Sequence, residues 1–236
     1  MGRRLPVAAA LVRPTARSLP WTLFAAGWAL GLLIAAVPLL FSLDLPAEVL
    51  VNLLRVAALC GAVGTAFVLD DPARHTTGVP PVPRPLRQAL RVAVVLPVCA
   101  AWWALVLAVV RAGADPGQWA ALPPGAVTVE AGALTASALA LAAAAVRFGA
   151  TRTPGPAVAG AVLVLPVAAG VFLPSHLALF VPPGDPRWAD AHVLWAGCLT
   201  AALTGWLLCA PESRRRLGGG RAARRSALTG RPARLP

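Results

Sequence analysis

Two ionisable side chains, Arg55 and Glu130, stand inside long apolar stretches of this 236-residue sequence. Either charge near the centre of a bilayer costs roughly 2.5 to 3.5 kcal/mol, so each requires a partner or a wet cavity. Glu48, Asn52 and Arg55 follow i, i+4, i+7 spacing, which places them on one stripe of a helix. That stripe admits two uses. With Glu130 it lines an outward-facing cavity or gate, or Arg55 and Glu130 form a structural ion pair with Arg55 partly snorkelling outward.

A second cluster lies in the polar stretch "VLDDPARHTTGVPPVPRPLRQALR", from Val68 to Arg91. Asp71 is a good N-cap, Pro72 suits a first helical position, and Asp70 and Asp71 favour the positive end of a helix. These residues predict a helix of one to two turns from Pro72 to about Thr77, carrying Arg74 and His75, and ended by Gly78. The run from Pro80 to Pro85 should be stiff and polyproline-like. Pro85 can start the next helix, with Arg87 and Arg91 on one face of it.

Other reactive residues exclude more chemistry than they suggest. All 21 basic residues are arginine, so no Walker A lysine or Schiff-base lysine exists in the sequence. His75, His176 and His192 are isolated and fall at different expected depths, which does not suit a di-haem protein. Cys60, Cys99, Cys198 and Cys209 lie in apolar runs without metal-ligand spacing and read as buried, unpaired thiols. No Ser/His/Asp or HExxH arrangement is present. Enzymatic activity, a cofactor and a metal are therefore not expected.

The elements that carry these residues follow from composition. The chain is 58% hydrophobic and 13% charged, about half the usual charged fraction of a soluble domain, which predicts an all-α, polytopic membrane protein. Six stretches reach the length of a membrane span: Trp21 to Phe41, Leu50 to Leu69, Val92 to Val110, Ala126 to Val146, Ala157 to Phe180 and Ala191 to Ala210. Eighteen of the 21 arginines then fall on one side, against Arg111 and Arg187 on the other. By the positive-inside rule both termini are cytoplasmic and the Val68–Arg91 stretch is the longest inner loop, in a multi-pass protein of the cell membrane.

Residues 1–19 are expected to form a cytoplasmic elbow, 20–211 the membrane domain, and 212–236 a disordered, arginine-rich tail beside anionic lipids. The net charge of +12 marks topology, and nucleic acid is not an expected partner. Trp21, Trp119 and Trp188 read as interfacial anchors. Trp102 and Trp103 sit deeper, as packing residues or an aromatic substrate wall. Gly27 and Gly31 form a GxxxG, which permits close helix approach.

Six spans, the N-terminal elbow, short outer loops and "VLDDPAR" together resemble the small ABC-2 type permease subunits of actinobacterial ABC transporters. The resemblance implies a permease energised by a separate ABC ATPase subunit, assembled as a homo- or hetero-oligomer with another permease. It also implies that Asp70, Asp71, Pro72, Arg74 and His75 belong to a coupling element docking on that ATPase, with the elbow from Arg13 to Ser18 as a second contact. Two other readings stand beside it. The loop simply caps and terminates two spans, or the chain is a membrane scaffold that recruits partners through its basic loop and tail.

Overall fold

Apolar runs rich in Ala and Leu satisfy their backbone hydrogen bonds internally as helices, which is what hydrocarbon demands of any spanning segment. A computed structural model of the chain describes residues 16–17, 19–69, 84–148 and 153–209. Among them the regular structure is helical: α1 (Trp21–Ala35), α2 (Val37–Phe41), α3 (Ala47–Thr65), α4 (Arg84–Gly113), α5 (Pro116–Ala121), α6 (Pro124–Phe148), α7 (Gly155–Phe172) and α8 (Trp188–Cys209), with a short 3₁₀ turn at Ser175–Leu177.

Five of these, α3, α4, α6, α7 and α8, are long and apolar enough to cross a membrane; α4 qualifies over Gln88–Gly113. Their outward faces carry large apolar side chains, including Val164, Val167, Phe172, Val193 and Leu208, all exposed. A soluble protein does not present such a surface, whereas lipid tails are its natural solvent. The chain is thus an all-α protein with the makings of a multi-pass membrane protein.

The first expected span is divided. Pro38 has no N–H to offer the carbonyl of Ile34, and the helix breaks at Ala36 between α1 and α2. Ala36 still bonds to Leu32 and Leu40 to Ala36, so the chain direction is kept across the break. A second difference lies in the fifth span, expected to reach Phe180. Helix α7 ends at Phe172, because Pro174 begins a turn and Pro182 and Pro183 follow. The segment after it folds back on the bundle, with Val181 buried.

Helix α3 is the hub. It packs on α1, α4, α6 and α7, while α6 makes its most extensive contact with α8. The GxxxG residues serve this hub and not a second chain. A Cβ on Gly27 would lie 2.8 Å from the carbonyl oxygen of Cys60, and one on Gly31 would lie 3.0 Å from that of Ala57. Only glycine allows the α1 and α3 backbones to approach so closely.

Candidate functional site

Helices α3, α6 and α8 all start at the same end of the bundle, and each places a polar residue a few turns or less from that start. Arg55 on α3 and Glu130 on α6 meet there. Arg55 Nε donates to Glu130 Oε2 at 2.7 Å and Nη2 donates to Oε1 at 2.8 Å, a two-pronged pair with Glu130 1% and Arg55 8% exposed. The planar guanidinium fork matches a carboxylate in just this way. Nη2 also donates to the carbonyl of Val181 at 2.9 Å.

The cluster is larger than the pair. His192 on α8 places Nε2 3.1 Å from Glu130 Oε1, without the alignment of a hydrogen bond. Its Nδ1 lies 2.8 Å from the carbonyl of Trp188, which can only accept, so Nδ1 carries a proton. The rings of Phe180 and Trp188 stand 5.6 and 5.8 Å from the guanidinium carbon of Arg55, within cation–π range.

Of the expected polar stripe, little joins in. Glu48 and Asn52 are exposed, and Asn52 touches Arg55 only at 3.5 Å. Neither Arg55 nor Glu130 lines the cavity walled by Trp28, Trp102, Trp103 and Trp206. The arrangement fastens α3, α6, α8 and the 173–187 segment together. Trp195 Nε1 adds to this by donating to the carbonyl of Leu179 at 2.9 Å.

The fold-back segment carries its own exposed clasp. Arg187 pairs with Asp185 at 2.9 Å and donates to the carbonyl of Ser175 at 3.0 Å. Hydrogen bonds from Arg187 hold the Asp185 carboxyl below its ordinary range, and the same contact raises Arg187.

A second region contains a cavity of about 530 Å³ between α4 on one side and α6 and α8 on the other, floored by α3. Its walls are apolar, with Trp28, Trp102, Trp103 and Trp206 among them. Trp102 is locked in place: it stacks on Trp28 at 5.6 Å, donates to the Trp28 carbonyl at 3.1 Å, and lies against Gly61, where a Cβ would come within 2.6 Å of its ring. Trp103 Nε1 donates to Thr128 on α6 at 3.0 Å, linking the two sides. The indole N–H groups of Trp28 and Trp206 are buried and have no acceptor. Leu96 on α4 and Leu203 on α8 line the cavity and are about half exposed, so it opens sideways, toward lipid.

Asp70, Asp71, Pro72, Arg74 and His75 lie outside the described residues, as do Arg13, the proline run up to Pro83 and the tail. The base of their loop is described. Arg91 Nη1 donates to the carbonyl of Val68 at 3.3 Å, closing the two ends of the loop against each other, and α4 already begins at Arg84.

Sequence reasoning named Arg55 and Glu130 and missed His192, Trp188, Phe180 and Val181 around them. For His192 a signal existed: it stands four residues after the start of its helix and Glu130 six after the start of α6, which are similar depths. Trp188 also packs against His192, with ring centroids 4.4 Å apart and the planes tilted. The four cysteines are unpaired and half-buried. No group of His, Cys, Asp and Glu among the described residues could hold a metal ion. No protein-family model, curated protein or solved structure matches the chain.

Proposed function

We propose that this chain is the membrane-spanning permease subunit of an ABC-type transporter, energised by a separate ATPase subunit, and that it carries a small apolar or amphiphilic molecule. The observation that carries this reading is the laterally open, tryptophan-walled cavity, a space of ligand size in a region with no charged lining residue. Burying an ion there would leave it unpaired at high cost, so an uncharged or largely apolar cargo is favoured.

The topology that goes with this reading has six spans and cytoplasmic termini, α1 and α2 together making the first crossing over about 30 Å of helix. Asp70, Asp71, Pro72, Arg74 and His75 form the coupling element, in the connection whose flanking residues Val68 and Arg91 are hydrogen-bonded to each other. A second permease copy or homologue and anionic lipids at the arginine-rich face complete the assembly. With no lysine in the sequence, the nucleotide-binding lysine must come from the partner.

Affinity purification from native membranes tests the reading. A Walker-motif ATPase should come along, and Asp71→Ala or Pro72→Ala should lower its hydrolysis rate while leaving the membrane bundle folded. If no such ATPase is recovered, or if its hydrolysis is indifferent to both changes, the permease reading fails.

A further inference from the structure

Among the polar groups on the cavity wall, one hydroxyl is left open. Thr65, Thr128, Thr200 and Thr204 each donate to a carbonyl three or four residues back along their helices, the usual resting place of a helical threonine. Thr135, on the stretch of α6 that walls the cavity, makes no such bond and is partly exposed. The other polar atoms of the wall are engaged or out of reach. Trp102 donates to the Trp28 carbonyl and Trp103 to Thr128, while the indole N–H groups of Trp28 and Trp206 are shut inside the protein. Cys99 adds only a weakly polar thiol.

The cavity is a slot, and the depth of Thr135 in it matters. On α4 the lining residues run from Val92 to Leu107, about 22 Å along the helix axis. Thr135 stands midway along α6, about 16 Å from Pro124, which is near the middle of a hydrocarbon core about 30 Å thick. A bilayer lipid keeps its head group at the interface and would lay only hydrocarbon against this hydroxyl. An ion or a carboxylate would meet no counter-charge, since no lining residue is charged. What remains for the hydroxyl to bond is an uncharged oxygen, carried at the middle of a ligand that lies wholly within the slot.

We infer that the slot takes an uncharged lipophilic molecule with a hydroxyl or carbonyl oxygen near the middle of its length, and that Thr135 bonds this oxygen. The inference rests on the permease reading only in taking that molecule as cargo.

Trp28, Trp102, Trp103 and Trp206 line the slot, so a dibrominated alkane inside it quenches tryptophan fluorescence. The full-length protein in detergent is titrated with dibromooctadecane, which is then displaced by heptadecane, by its methyl ketone, or by its symmetrical ketone with the carbonyl at the chain centre. Quenching should saturate. The symmetrical ketone should displace the quencher about five-fold more effectively than the alkane, as one net hydrogen bond provides. The methyl ketone should match the alkane, because its carbonyl reaches Thr135 only if half of the chain leaves the slot.

Thr135→Val removes the hydroxyl and should bring the symmetrical ketone to the level of the alkane, with the alkane unchanged. Thr135→Ser keeps the hydroxyl and should keep the preference. Equal displacement by the two ketones in the native protein, or a preference that survives Thr135→Val, would overturn the assignment. So would quenching that never saturates, even if an ATPase co-purifies and the permease reading stands. Selective binding without an ATPase would keep the ligand class and sink the transporter.

Discussion

Glu130 lies between Arg55, which holds it, and His192, which faces it, although 75 residues separate it from the first and the sequence gives no motif linking it to the second. The carboxylate is almost wholly buried, and its partner Arg55 also holds the Val181 carbonyl. Removing one member therefore strands a charge in a low-dielectric site. That cost exceeds what the intact pair contributes over an apolar replacement.

Arg55→Met or Glu130→Gln should each destabilise the bundle by about 3–5 kcal/mol, measured by denaturant unfolding in detergent. The exchanged pair, Arg55→Glu with Glu130→Arg, should recover only part of this. A glutamate at position 55 cannot donate to Val181, and an arginine at 130 faces His192. Full recovery would mean that the pair acts alone; a double mutant no better than either single one would mean that it does not pair at all.

The glycines separate packing from open space. Gly61→Ala places a methyl against the locked Trp102 ring and should cost about 1–3 kcal/mol. Gly132→Ala meets nothing and should be neutral or stabilising by about 0.5–1 kcal/mol, through the helix preference of alanine alone. Thermal unfolding of the two variants side by side checks the contrast.

Asp185 titrates outside the spans, and its sign can be worked out. Because Arg187 lowers its folded-state pKa, the contact supports the clasp above the ordinary carboxylate pKa and is lost as pH falls through the lowered value. Arg187→Gln should raise the Asp185 titration midpoint, read from its side-chain carboxyl carbon by NMR. Arg187 is exposed and water screens the pair, so global stability should hardly respond.

Much of this was legible from residue depth. Arg55 and Glu130 could be paired because counting from the start of an apolar run gives height in a bilayer, and charges of opposite sign at one height attract. The same count placed α3, α4, α6 and α8 to within a few residues. What the sequence hid was the course of residues 173–187. Leu177, Leu179 and Phe180 extend the apolar run, so hydropathy continues where the backbone has already turned at Pro174. Phe180 and Val181 reach Arg55 only through that turn. The slot was hidden for a related reason: Trp28, Trp102 and Trp206 come from three distant helices, and no local pattern says that they share a wall.

Accessibility labelling checks the side on which the 70–83 loop emerges. With the four native cysteines replaced, His75→Cys should react with a membrane-impermeant maleimide in inside-out vesicles and stay silent in intact cells. The reverse pattern would invert the bundle and exclude the proposed docking of a cytoplasmic ATPase at Asp71.

The fastening around Arg55 has a mechanical consequence. Three helices are stapled at one rim, while α4 is tied to α6 by the Trp103–Thr128 bond and otherwise leans on α1, α2 and α3. The bundle is therefore fastened by buried charge along one edge, while α4, a wall of the cavity, is held to α1 through Trp102 and Trp28. The buried charges and the cavity are thus separate duties of the same helices: α3 and α6 carry the ion pair at one rim and wall the cavity further along.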